Sequence, residues 1–427
     1  MKLNTRRTFF IGLAFLSISS FWQLYDNIIP LILQNTFGVG ETFTGTIMAM
    51  DNLLALFLLP IFGAFSDRVD TRFGKRTPFI VLGTIGAVSF MLLIPISSNL
   101  GSFPLFFVSL GAVLLFMSTY RSPAVALMPD LTPKPLRSKA NAIINLMGAV
   151  GAIFALAVIS LLVPDKPNPS YFSVFLVIAL LMVFSVTVLV KTIKEKRLSE
   201  EMKEFNDSQD LEDEETNGSG SDEMPADVKR SLYFILASIF LWFTAYNAVT
   251  TAFSRYAGRV WGLQGGSFAN ALLVATGAAI LSYIPIGIIA SKVGRKKTII
   301  AGITLMSTSY FLGYLFIEYS PVINAVFALT GIGWAAISVN SYPMVVEMSK
   351  SADVGKYTGL YYTFSMSAQI FTPILSGFFL ETVGYRTLFP YSVFFSLASL
   401  LTMLMVKHGD SKPPKKGSSL DNFDVED

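Results

Sequence analysis

Apolar residues come in runs of about twenty, separated by short polar turns, near 9–34, 43–66, 78–97, 103–128, 139–163, 171–191, 230–254, 267–291, 297–317, 321–347, 357–380 and 386–406. At 1.5 Å per residue each run is long enough, as a helix, to cross a hydrocarbon core about 30 Å thick. The pattern predicts an all-α membrane protein with twelve transmembrane helices. It breaks once, in the middle. From Glu195 to Asp227 there are thirteen carboxylates among Asn, Ser and Gly, a composition that cannot bury a core. The expected organisation is therefore a six-helix bundle over 1–192, an acidic, disordered cytoplasmic linker over 193–228, a second six-helix bundle over 229–408 and a polar cytoplasmic tail over 409–427. The start of the chain, with Arg6 and Arg7 ahead of an apolar run, imitates an export signal. No small-residue cleavage site follows, and the run continues to about Leu33, so the two arginines are expected to anchor a first span.

Composition agrees with the pattern and narrows the chemistry. The chain has 427 residues, of which 52% are hydrophobic and 14% charged, too apolar for a soluble protein of this length. Its net charge of +3 is scattered over turns instead of gathered in one patch, which argues against nucleic acid as a partner. There is no cysteine, and the single histidine, His408, lies in the tail, so neither disulfides nor a histidine metal site is expected. No nucleophile and base arrangement, phosphate loop or metal-ligand spacing is present, and the sequence predicts no enzyme, no metal and no cofactor. With both termini inside, twenty Lys and Arg fall in short cytoplasmic segments and seven in the central loop between the sixth and seventh spans, from Lys191 to Arg230. Only Lys166, Arg255, Arg259 and Arg386 fall outside. That asymmetry predicts a multi-pass protein of the cytoplasmic membrane with both termini cytoplasmic, surrounded by the lipid bilayer and expected to be a monomer.

The two halves repeat. At an offset of 220 residues Trp22 and Asn27 match Trp242 and Asn247, and Pro123 matches Pro343; at 224, Gly63 matches Gly287. Parallel repeats of this kind belong to transporters that rock two bundles about a site near the bilayer midplane.

Three ionisable residues lie deep in spans, where their cost makes them functional candidates: Asp26, Asp51 and Arg121. Asp26 and Asp51 are expected about 10 and 12 Å below the outer ends of their helices, at a shared depth suited to carrying a proton. Arg121 is expected about 27 Å down the fourth helix, near the cytoplasm and out of direct reach of either carboxylate. Around them, aromatics recur with amides and hydroxyls. The first helix carries Trp22, Gln23, Tyr25 and Asn27; the seventh carries Trp242, Tyr246 and Thr250 at four-residue spacing, with Asn247 alongside. The tenth has Trp334 and Asn340, and the eleventh Tyr361 and Gln369. These residues are expected to line a polar cavity for a small molecule.

Between the second and third spans the chain reads P-I-F-G-A-F-S-D-R-V-D-T-R-F-G-K-R-T-P from Pro60 to Pro78. The motif resembles the corresponding loop of major facilitator transporters, and its R-F-G-K-R-T-P-F-I ending resembles that of the sucrose-type proton symporters, near the glycoside-pentoside-hexuronide carriers. S-P-A-V-A-L-M-P-D-L, R-S-K-A-N-A-I and G-L-Y-Y-T-F-S-M-S-A-Q extend the likeness over most of the chain. The resemblance implies the major facilitator fold and transport of a glycoside, most simply a disaccharide, by proton symport with alternating access. The depth of the two carboxylates, rather than the resemblance, puts the proton on Asp26 or Asp51. The resemblance makes a conformational gate of Gly63, Asp67, Arg68, Arg72, Gly74, Lys75 and Arg76, with Gly287 and Arg295 as their repeat, latching the outward-open state. Two departures stand out. The family's helix-4 arginine is Val125 here, with Arg121 one turn earlier, and its helix-4 carboxylate falls near Leu114. The sodium-binding Asp pair of melibiose-type relatives is replaced by Ala55 and Leu59, which disfavours sodium. A proton-driven drug or metabolite exporter is one alternative, although the fifth-helix G-x-x-x-G-P-x-x-G-G run of such proteins is absent. A transporter-like sensor that binds solute without moving it is another.

Overall fold

The structure is a computed structural model and describes residues 3–133, 136–166, 169–201, 225–346, 348 and 354–409. Its helices are α1 (Thr5–Asn35), α2 (Glu41–Arg68), α3 (Thr77–Asn99), α4 (Phe103–Asp130), α5 (Arg137–Leu162), α6 (Phe172–Thr192), α7 (Ala226–Val260), α8 (Ala269–Val293), α9 (Arg295–Leu315), α10 (Ile323–Val346), α11 (Val354–Thr382) and α12 (Leu388–Met405), the last entered through a 3₁₀ turn, Tyr385–Thr387. Among the described residues, twelve helices are long and apolar enough to cross a membrane. An even number of spans brings both ends of the chain to one face, called here the terminal face; the opposite one is the far face.

Both edges of the expected linker fall within the described residues. Residues 195–201 are helical and α7 begins at Ala226, while 202–224 and the tail from 410 lie outside the described residues. Glu195 shows why the first part is ordered. Its carboxylate accepts the backbone N–H groups of Lys75, Arg76 and Thr77, each at 2.7 Å, and the Thr77 hydroxyl at 2.6 Å. These are the unsatisfied donors that open α3, where a negative charge is favoured.

Helices α1–α6 pack into one bundle and α7–α12 into another. The bundles meet chiefly through α2 against α11 and α5 against α8, which are the same contact under the internal repeat. The α2–α11 contact depends on small residues near the far face. A Cβ on Gly45 would strike the Pro373 backbone, and one on Gly377 would meet the Glu41 carbonyl at 2.6 Å.

Among the described residues, every hydrogen bond between the bundles lies at the far face. Arg255 of α7 holds Glu41 of α2 at 2.9 Å, with the two side chains 5% and 4% exposed. The Thr42 backbone N–H donates to Glu381 at 2.8 Å, Tyr385 to Gln34 at 3.3 Å, Ser160 to Asn270 at 2.7 Å and the Gly266 N–H to the Val163 carbonyl at 3.3 Å. Separating a buried pair such as Glu41 and Arg255 without water to replace it costs about 3–5 kcal/mol. The far face is shut. Toward the terminal face α4 and α10 are not packed together, and Val125 and Tyr362 are 48% and 55% exposed.

Candidate functional site

The cavity lies where the two bundles face each other, in two lobes that share Asp26 and Thr250. The larger, about 160 Å³, is walled by Trp22, Asp26, Met48, Asp51, Asn52 and Arg121 from the first bundle and by Asn247, Thr250, Thr251, Gln369 and Pro373 from the second. The smaller, about 50 Å³, runs behind Asp26 into the second bundle, between Gln23, Asn27 and Leu156 on one side and Tyr246, Thr276, Tyr310 and Thr330 on the other.

Arg121 stands in a different place from its sequence expectation. It faces the same lobe as the two carboxylates, with its guanidinium 5.6 Å over the Trp22 ring. Two features of α4 account for the difference. The helix runs on to Asp130, so Arg121 is nine residues, about 13 Å, from its terminal-face end. Side chains on a helix also lean toward its N-terminus, here toward the far face, and this brings the long arginine up to the level of Asp51. The two carboxylates differ in what holds them. Asp51 accepts the Asn52 backbone N–H at 2.5 Å and its side-chain amide at 2.8 Å, and faces the Arg121 charge. Asp26 has no hydrogen bond to a described residue.

Of the expected lining residues, the structure brings Trp22, Gln23, Asn27, Tyr246, Asn247 and Gln369 to the cavity with the three charged groups. Five others stand behind its walls. Tyr25 and Trp242 are 1% and 0% exposed. Residues at four-residue spacing turn 40° per step, so Trp242 has rotated off the face that presents Thr250. The Asn340 amide donates to the Ala336 carbonyl at 2.9 Å, and the Tyr361 hydroxyl is paired with Ser341 at 3.2 Å. Trp334 stacks on Tyr246, ring centroids 3.8 Å apart and 8° from parallel, and so backs a wall residue. The sequence reading missed Asn52, Thr251, Tyr310 and Thr330. A polar Asp51–Asn52 pair inside an apolar run is the signal that could have pointed to the first of these.

Four lining residues carry a buried polar atom with no hydrogen-bond partner among the described residues: Trp22 Nε1, Asn27 Oδ1, Asn247 Nδ2 and the Tyr310 hydroxyl. Each such atom costs about 1–3 kcal/mol if nothing meets it. The wall presents unmatched donors and an unmatched acceptor beside ionisable groups.

The expected gate residues form a separate cluster at the terminal face, inside the first bundle. Arg76, 6% exposed, pairs with Asp67, hydrogen-bonds Ser66 and donates to Asp130 at 2.8 Å. A Cβ on Gly63 would meet Ser122 Oγ at 3.0 Å, so this glycine sets the approach of α2 to α4. Gly74, at φ +108°, turns the loop beneath Glu195. Arg68, Arg72 and Lys75 are exposed, and Arg72 lies 4.6 Å over the Phe73 ring. The repeat is weaker than its sequence suggests: a Cβ on Gly287 would meet nothing within 4 Å, although Arg295 opens α9 at the matching turn.

Twelve spans in two six-helix bundles with a polar cavity between them define a carrier of the major facilitator type, a multi-pass membrane protein and not an enzyme. Solved structures with this fold include a POT family transporter in complex with 5-aminolevulinic acid, with a TM-score of 0.69 at 12% identity, covering 94% of this chain and 95% of that one. A bacterial homologue of the iron transporter ferroportin matches with a TM-score of 0.67 at 13% identity, covering 94% and 99%. The chain belongs to the family described as MFS/sugar transport protein, whose model matches residues 10–406. Among curated relatives, Sucrose transport protein SUC3 of Arabidopsis thaliana is 25% identical over 151 residues, 31% of this chain and 25% of that protein. Proton-associated sugar transporter A of Mus musculus is 31% identical over 86 residues, 16% of this chain and 11% of that protein. The chain thus aligns with about a quarter or less of the length of these two relatives.

Proposed function

We propose that this carrier moves a glycoside, most simply a disaccharide, together with a proton, by alternating access of the central cavity to the two faces. The observation that carries the reading is the cavity wall itself. Unmatched indole, amide and hydroxyl groups on both bundles suit a polyhydroxylated solute, whose hydroxyls donate and accept. Two carboxylates at the same cavity supply a proton site. Membership of a sugar transport family supports the substrate class, and the basic residues of the terminal face support its assignment to the cytoplasm. In this orientation the structure is shut to the outside.

The test is uptake of labelled sucrose and maltose into proteoliposomes, with and without an inward proton gradient, for wild type and Asp26→Asn. Gradient-driven uptake in the wild type, lost in Asp26→Asn while exchange of the same sugar survives, is the expected result. Failure of every glycoside to move would remove the substrate class.

The Asp67 cluster acts on the conformational cycle in this scheme. Asp67 is a half-exposed partner of Arg76, and Asp130 remains to hold that arginine when Asp67 is replaced. Asp67→Asn therefore leaves the fold and the sugar affinity intact and lowers turnover; an unchanged rate would refute the role.

A further inference from the structure

A second cavity, about 170 Å³ and sharing no residue with the central one, opens at the far face between the bundles. It lies among the ends of α1 and α7, the loop joining α5 to α6 and the loop joining α7 to α8. Of the four basic residues that the chain places at this face, Lys166, Arg255 and Arg259 all line it. Membrane proteins keep such residues scarce on the side away from the cytoplasm, so convergence of three on one cup is not what topology alone produces. The carboxylates of the same face, Glu41, Asp165, Glu318 and Glu381, do not line it; Glu41 is bound to Arg255 and Glu381 to Thr42.

The cup also holds unmet polar groups. Gln34 and Ser254 are 9% and 3% exposed and line it, yet Gln34 Nε2 and the Ser254 hydroxyl have no hydrogen-bond partner among the described residues. Gln34 is fixed in that orientation because its Oε1 accepts from Tyr385, and the Arg259 guanidinium lies 6.0 Å over the same tyrosine ring. Lys166 and Arg259, which form no ion pair with a described residue, a buried amide N–H group and a hydroxyl all face one space of about 170 Å³.

We propose that this cup binds a small oxyanion of the carboxylate or phosphate type, held by Lys166 and Arg259 and read by Gln34 and Ser254. Its walls come from both bundles, so the anion is bound only while the far face is shut and stabilises that state by its differential affinity. The inference does not depend on which solute the central cavity carries.

The experiment is binding of radiolabelled inorganic phosphate to the full chain in detergent at constant ionic strength, with a monodisperse gel-filtration profile and an unchanged thermal unfolding midpoint of each variant as the control for folding. Saturable binding is expected. Lys166→Gln/Arg259→Gln weakens it by about a hundredfold or more, the loss expected from two charged hydrogen bonds. Ser254→Ala weakens it several-fold without a change of charge, a response that diffuse surface attraction would not show. No saturable binding in the wild type, or equal binding in the double variant, overturns the proposal. Repeating the measurement in phosphatidylcholine nanodiscs with and without phosphatidylglycerol separates two sources of the same chemistry. Competition by phosphatidylglycerol assigns the cup to a lipid headgroup, and binding indifferent to it assigns the cup to a soluble anion, with the oxyanion site upheld either way.

Discussion

The two walls of the central cavity differ in kind. From the first bundle come Asp26, Asp51 and Arg121, with Trp22 beneath the arginine; from the second come Asn247, Thr250, Thr251, Gln369, Tyr246 and Tyr310, without one ionisable carboxylate or cation. The repeat that made the bundles alike in fold has been kept in packing and abandoned in charge. A charge in a membrane interior is expensive and needs partners close by, and gathering all three on one bundle lets them keep their mutual distances when the bundles rock. The neutral wall can then change its distance from the charged one without stranding an ion. The division suggests that coupling belongs to the first bundle and solute selection is shared with the second.

The largest effect should come from the charged wall, and it should separate the two carboxylates. Asp51 has a cation opposite and an amide donor alongside; Asp26 has neither and lies at the junction of the lobes. Under the proposed proton symport, Asp26 is thus the group expected to exchange a proton with solvent in the cavity. Asp26→Asn should reduce uphill accumulation to the equilibrium level yet leave exchange, whereas Asp51→Asn, which strands Arg121, should depress exchange as well. Identical phenotypes in paired accumulation and counterflow assays would dissolve the distinction.

On the neutral wall the expected effect is smaller and of another sort. Tyr246 lines the smaller lobe and is held flat by Trp334 at 3.8 Å. Tyr246→Leu removes an aromatic face and the stack behind it, worth about 0.5–1.5 kcal/mol beyond the area lost. The half-saturating sugar concentration should rise by up to about tenfold with the dependence on the proton gradient intact. A loss of coupling in that variant would show that the second bundle also handles the proton.

How much of this could be read from the chain depends on contrast. Asp26 and Asp51 were conspicuous because a carboxylate inside an apolar run has few explanations, and the twelve spans followed from length and hydropathy. Arg121 was found by the same contrast and then misplaced, because rise per residue gives the depth of a Cα and ignores a long side chain that leans along its helix. Glu41 and Arg255, buried against each other, were invisible: each sits at a helix end where a charge is ordinary, and 214 residues separate them. Tyr310 is one of sixteen tyrosines and carries no mark of its position until α9 is packed against its neighbours. Trp242 was misread because repeat and spacing both pointed to the cavity, while the packing of α7 within its own bundle buried it completely.

The smallest effect tests the repeat at a single pair. Asn27 and Asn247 stand 220 residues apart on matching helices, and both reach the cavity. They are used differently. The Asn27 amide nitrogen already donates to the Gln23 carbonyl at 2.9 Å and to its side chain at 3.3 Å, leaving an oxygen to accept. The Asn247 amide nitrogen has no partner among the described residues and is left to donate. Asn247→Ala should therefore remove one solute hydrogen bond, about 0.5–1.5 kcal/mol or a few-fold in apparent affinity, without disturbing its own helix. Asn27→Ala removes an acceptor and also releases Gln23, so its loss of affinity should come with a change in preference among sugars that Asn247→Ala does not produce. Measuring competition by a panel of deoxy-sugars against labelled uptake decides the matter. If removing one particular solute hydroxyl abolishes the cost of Asn247→Ala and leaves that of Asn27→Ala, the two asparagines read different hydroxyls; if every deoxy-sugar responds alike in both variants, neither touches the solute.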